Sequence, residues 1–192
     1  MDYYEIKADF YNFPNQYFIT EISNFNNPKA QLNWDDFLKN YSTDRHEKYI
    51  ATIESGNEEV DFSTTLYGFC IVSEKFAQLL ERIQIDDFLI VPLSFEKQLT
   101  QRFYLLVDFL TYDCVDEVNS EFQKFIENDP VRPDLAGQYR AFFKLTIDAS
   151  KVDNADLFRL EKEKTTIIVS QRIKNIYEEN NLKGACFTKV TL

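Results

Sequence analysis

The sequence predicts an α+β fold in a single domain, with a mixed sheet and a few helices. Three observations point there. Aromatic and β-branched runs alternate with polar residues at several places, as half-buried strands require. Helical rhythm appears only in short stretches. One phrase is also written twice: "FCIVSEKFAQLLERIQIDDFLI" recurs as "TIIVSQRIKNIYEENNLKGACF", with Ser170 standing 97 residues after Ser73.

The elements follow in chain order. "YYEIKA" at 3–8 and "QYFITEIS" at 16–23 read as strands, with turns around Pro14 and Pro28. In "NWDDFLKNY", Asn33 stands as an N-cap, with Asp35 and Asp36 at the positive end of a short helix. "YIATIESGNEEVDFS" reads as a hairpin turning at Gly56-Asn57. In the first copy of the doubled phrase, Phe76, Leu79, Leu80 and Ile83 keep an i, i+3, i+4, i+7 rhythm. In the second, Ile173, Ile176 and Tyr177 keep the same register. Ser73 and Ser170 fall between a β-branched run and a helix, where an N-cap belongs.

An apolar run closes each copy, "FLIVPL" and "ACFTKV", so the unit is strand, capped helix, strand. Short amphipathic units resemble one another readily, and coincidence would also produce such a match. The shared Ile-Val-Ser start and helix register favour a repeat. Between the copies, 102–109 reads as a strand and a helix is expected from Ser120 to Asp129-Pro130. "GQYRAFFKLTIDAS" reads as a further strand. No linker divides the chain.

The chain has 192 residues, 44% of them hydrophobic and 28% charged, ample for a packed core. With 18 Phe, 11 Tyr and only 4 Gly, regular elements outweigh loops. The net charge of −11 argues against nucleic acid, whose phosphates it would repel, and suits a basic partner. Acidity also serves plain solubility, and taken alone it favours that reading. Cys70, Cys114 and Cys186 are odd in number and widely spaced, as expected of free thiols in a reducing cytoplasm. The N-terminus shows no signal-peptide pattern, and the longest uncharged run, residues 62–73, is too short for a membrane helix.

Catalytic and cofactor chemistry finds little support. The lone His46 sits in a charged stretch, which suits a solvated residue. One histidine and scattered cysteines leave no zinc pattern, and neither serine lies in a nucleophile elbow. Glycine-rich phosphate loops are absent, so no cofactor is expected. Asp108, Asp113, Asp116 and Glu117 could supply an acid pair, which would make a carboxylate-dependent enzyme one alternative. A structural or adaptor protein is another.

In its later two thirds the chain resembles a bacterial family of immunity proteins, the eleventh numbered one, formerly a domain of unknown function. The resemblance covers about residues 67–190. It rests on "CIVSEKFAQLL…FLIVPL", on a Tyr-rich strand leading to Asp116-x-x-x-Ser120, and on "LFR" before "IIVSQRIK". Leu182-x-Gly184 and Phe187 complete it, although Asp87 stands in the first copy where the second has Gly184. Residues 1–66, the N-terminal strands and hairpin, match little and would form a variable region.

The resemblance implies a cytoplasmic, non-enzymatic protein that binds and blocks one cognate toxin. If that toxin has a basic groove, carboxylates would stand in for phosphates there. Candidate contacts are Glu54, Glu58, Glu59 and Asp61 around the expected hairpin, and Asp113, Asp116 and Glu117. Neither nucleic acid nor membrane is an expected partner.

Overall fold

Most runs that read as strands form strands. The computed structural model describes residues 1–24, 27–31, 48–83, 85 and 87–192, with only the backbone of 27–31. The expected helix after Asn33 and the lone His46 lie outside the described residues. The fold is α+β, as expected, with two α-helices among the described residues. The chain forms two compact units. One comprises Met1–Ile6, Leu110–Lys174 and Phe187–Leu192; the other comprises Lys7–Phe109 and Asn175–Cys186.

The second of these holds a seven-stranded sheet. Its strands are β2 (Phe18–Asn24), β3 (Asn27–Gln31), β4 (Tyr49–Ser55), β5 (Phe62–Thr64), β6 (Cys70–Ser73), β7 (Phe88–Phe95) and β8 (Phe103–Asp108). They lie in the order β3-β2-β4-β7-β8-β6-β5, and only β4 and β7 run parallel. Pro28, which reads as a turn residue, lies within the edge strand β3, where a missing N–H is tolerated. The sheet curls until Ile19 of β2 bridges Thr65, just past β5. Ile22, Ala51, Phe69, Ile71, Leu105 and Val107 fill its core.

The first unit contains the five-stranded order β14-β1-β13-β12-β9 and a separate ribbon. Its strands are β1 (Tyr3–Ala8), β9 (Thr111–Tyr112), β12 (Leu157–Leu160), β13 (Glu163–Ser170) and β14 (Ala185–Lys189). The ribbon pairs β10 (Glu121–Lys124) with β11 (Tyr139–Lys144). Tyr3, Cys114, Ile147, Phe158, Leu160 and Ile168 belong to this core. Burial pushes the Cys114 thiol up to about 12, so it is a packing group rather than a nucleophile.

Two local expectations are corrected. Residues 49–63 do not form a hairpin: β4 lies between β2 and β7, while β5 pairs with β6. Gly56, at φ +90, instead packs against the Gln16 carbonyl, and the Asn57 and Glu58 amides donate to the Asn15 carbonyl. The ladder partners on offer elsewhere decide where the strands on either side of Gly56 go. Nor does a helix start at Ser120. Residues 121–124 are strand β10, alternating exposed and half-buried. Phe122 stacks edge-on to Tyr139 at 5.1 Å, and Phe142 lies 4.7 Å from Tyr139. Those aromatic contacts across the ribbon outweigh the modest helix propensity of the segment.

The doubled phrase is a doubled structure. In the first copy β5 and β6 lead into α1 (Glu74–Arg82) and then β7, with β8 inserted between β6 and β7. In the second, β12 and β13 lead into α2 (Gln171–Glu179) and then β14, with β1 inserted between β13 and β14. The registers agree: Phe62 pairs with Val72 as Leu157 pairs with Val169, and Ser73 with Phe103 as Ser170 with Tyr3. The residue after each serine donates 2.9 Å to the carbonyl before the inserted strand, Glu74 to Arg102 and Gln171 to Asp2. The strand that follows β7 in one module therefore comes from the other end of the chain in the second. Short-range sequence comparison has no way to show such a permutation.

Both serines cap their helices. Ser73, at φ −69 and ψ 162, accepts from the Phe76 amide at 3.2 Å, and Ser170 accepts from Ile173 at 3.4 Å. Each also donates to an upstream aspartate. Ser73 Oγ reaches Asp61 Oδ1 at 2.6 Å and Ser170 Oγ bonds Asp156 Oδ1. The same aspartates accept from the serine amides through their carbonyls, at 3.0 and 2.9 Å. The clamp locks each helix start to the first strand of its own module.

Beyond α2, Asn181 is left-handed at φ 50. Leu182 N donates to Tyr177 O and Asn181 N to Glu178 O, closing a Schellman end. Tyr177 packs edge-on to Phe76 at 5.3 Å, and Lys75 Nζ donates 2.8 Å to the Asn180 carbonyl.

Candidate partner-binding surface

The carboxylates of "DCVDE" are brought together with groups that lie distant in sequence. Val115 bridges Ile147, Asp116 N donates to Thr146 O, and Asp148 N donates to Cys114 O. These bonds set residues 113–117 beside 146–148. Ser120 fastens the arrangement, since its hydroxyl donates to Thr146 O at 3.0 Å and accepts from Thr146 N at 2.9 Å. Asp116 and Ser120, read as a sequence motif, thus grip the same short segment. An open cleft of about 410 Å³ is lined by Asp113, Asp116, Glu117, Asp148, Lys151 and Lys162, with Val118, 92% exposed, also contributing.

Each acid has a local partner. Asp113 accepts from Lys162 Nζ at 2.6 Å, and Glu117 from Lys124 Nζ at 2.6 Å and the Tyr139 hydroxyl at 2.7 Å. Asp116 accepts from the amides of Val118 and Asn119 and from the Asn119 side chain, forming an Asx turn. Asp148 caps the 3₁₀ turn Ala149–Lys151 through Ser150. These bonds favour the charged forms. The Asn119 side-chain bond holds Asp116 below the usual carboxylate range, as do Lys124 for Glu117 and Ser150 for Asp148. At neutral pH Asp116, Glu117 and Asp148 therefore present negative charge held by local hydrogen bonds.

A pH dependence of stability follows. Carboxylates more acidic in the folded chain than in the unfolded one stabilise the fold above their unfolded values and lose that effect as pH falls through the folded ones. The urea midpoint should stay flat from pH 7 to about 5 and decline below about 4. A midpoint that rose on acidification would contradict this assignment.

The second set of candidates is used differently. Glu54 is exposed at the end of β4. Glu58 is half-buried, its carbonyl accepting from Tyr17 N. Glu59 holds Thr100, accepting from its amide at 2.7 Å and its hydroxyl at 2.6 Å. Asp61 is the Ser73 clamp and also accepts from Lys183 N at 2.9 Å. Asp108, the remaining acid of the proposed catalytic set, is buried at the end of β8. Sequence reasoning missed Asp148, Lys151 and Lys162 because only long-range pairing brings them to the cleft. It also missed Asp156, although an aspartate preceding a strand in both copies was a usable signal.

Among the described residues no group of three or more His, Cys, Asp or Glu is placed to hold a metal, and no helix is long and apolar enough to cross a membrane. The fold and the cleft define an α+β protein that presents fixed charge on a strongly hydrogen-bonded frame. The chain belongs to the Imm11 immunity protein family, whose model matches residues 11–191. That match begins at residue 11, well before the motifs that carry the resemblance in sequence. The family implies toxin neutralisation and a non-enzymatic role. Comparison with curated proteins finds no match.

Proposed function

We propose that this chain is a cytoplasmic immunity protein that binds the effector domain of one cognate toxin and neutralises it by occluding its active site. Membership in the immunity family is the observation that carries this reading. The fixed carboxylates of the 113–117 cleft supply a physical means, because they can meet Arg or Lys in a groove that otherwise takes an anionic substrate.

The test is co-expression with the C-terminal domain of the protein encoded next to this gene, together with calorimetry on the purified pair. Protection and a 1:1 complex of nanomolar or tighter affinity are expected. In the variant Asp113→Asn/Asp116→Asn/Glu117→Gln, association should slow about tenfold or more at low salt, with the difference shrinking as salt rises. Unchanged association would place the contact elsewhere, and failure to protect would overturn neutralisation itself.

A further inference from the structure

A second cleft, in the other compact unit, carries the opposite charge. The connection between β7 and β8 folds over the strand ends and leaves a cavity of about 380 Å³, within the size range of small-ligand pockets. In a chain of net charge −11, the only charged side chains lining it among the described residues are Lys97 and Arg102. Arg102 is 79% exposed, and its contact with Glu74 is a long 3.6 Å. Lys97 Nζ stands 4.0 Å over the Tyr17 ring, which holds the ammonium in place without neutralising it. Glu96 is next to Lys97 in sequence but does not line the cleft.

The rest of the lining is largely apolar. Phe95 packs edge-on to Phe103 at 5.5 Å, and Phe95 and Leu99 rest on the sheet core. The connection is also held in place, since Glu59 takes both the amide and the hydroxyl of Thr100 in its middle. A cleft pinned before anything binds loses little ordering entropy on binding.

We propose that this cleft docks a short acidic segment of a partner protein, one carrying carboxylates beside aromatic or aliphatic side chains. The two cations would pair with the carboxylates, and the aromatic floor would take their apolar neighbours. A bare phosphate would leave the floor uncovered, and a nucleic acid would meet the repulsion of the whole chain. This inference goes beyond toxin neutralisation, and its test needs no toxin.

The probe is a fluorescein-labelled octapeptide, Ser-Gly-Leu-Asp-Phe-Glu-Gly-Ser, titrated with the intact protein and compared with its Asn/Gln counterpart by anisotropy. Amide resonances are followed in parallel. The acidic peptide should bind at least fivefold more tightly and shift the amides of Lys97, Leu99, Gln101 and Arg102. Lys97→Gln/Arg102→Gln should abolish the difference between the peptides. Absent or equal binding of the two peptides, shifts confined to residues 113–117, or full displacement by equimolar inorganic phosphate would each overturn the proposal. The peptide comparison keeps the test decisive even if the double variant folds poorly.

Discussion

Gly184→Ala is expected to lower the thermal midpoint by roughly 6–12 °C, whereas Gly137→Ala lowers it by only about 2–4 °C. Both glycines have positive φ, +101 and +81, a region that disfavours a Cβ by about 1–2 kcal/mol. They differ in their surroundings. A Cβ on Gly137 meets nothing within 4 Å, but one on Gly184 meets the Phe62 carbonyl oxygen at 2.4 Å and Val60 Cβ at 2.6 Å. Neither neighbour yields easily, because Phe62 is a ladder residue of β5 and Val60 is buried. Overpacking of this kind adds about 1–3 kcal/mol to the backbone strain. The Gly184 carbonyl also accepts from Asp9 N at 2.8 Å, so displacement would disturb that bond too. Calorimetric scans of the two variants check the contrast, and equal shifts would refute the close-contact explanation. Gly184 is the glycine of the Leu-x-Gly motif, and the packing supplies the physical reason for it.

Asp61→Ala should destabilise the fold by about 2–4 kcal/mol, while Glu54→Ala should stay within about 0.5 kcal/mol. The Asp61 carboxylate accepts from Ser73 Oγ and from Lys183 N, and charged acceptors contribute more than neutral ones. Removing it strands the hydroxyl of the fully buried Ser73 and leaves the exposed Lys183 amide to water. Glu54 is exposed at the end of its strand. Combining Asp61→Ala with Ser73→Ala should cost about 1–2 kcal/mol less than the sum of the single changes, because both break the same bond. Urea titrations measure all four proteins, and strict additivity would show that the clamp is not coupled. The experiment also guards the search for toxin contacts, since lost protection in an Asp61 variant would report instability before it reported an interface.

The same residues show how far sequence carries. Both capping serines, their helices and the flanking strands were legible, because N-caps and periodicity act within about four residues of chain. The Leu-x-Gly and Asp-x-x-x-Ser motifs were visible as patterns, though their tasks were not. The ribbon at 121–124 was misread because a helix end was inferred from Asp129-Pro130. In fact Asp129 forms a turn with the Val131 and Arg132 amides. The alternation of "EFQK" was the better signal.

By itself, the sequence determined the α+β class, the paired helix modules, the acidic charge and the family. Tertiary structure alone decided that β1 completes the second module, that β4 leaves β5 for β2 and β7, and that Asp148 joins Asp113, Asp116 and Glu117. The division has one cause. Caps and alternation are settled between near neighbours, whereas strand partners and charge clusters depend on hydrogen bonds closed across most of the chain, and many pairings compete for those.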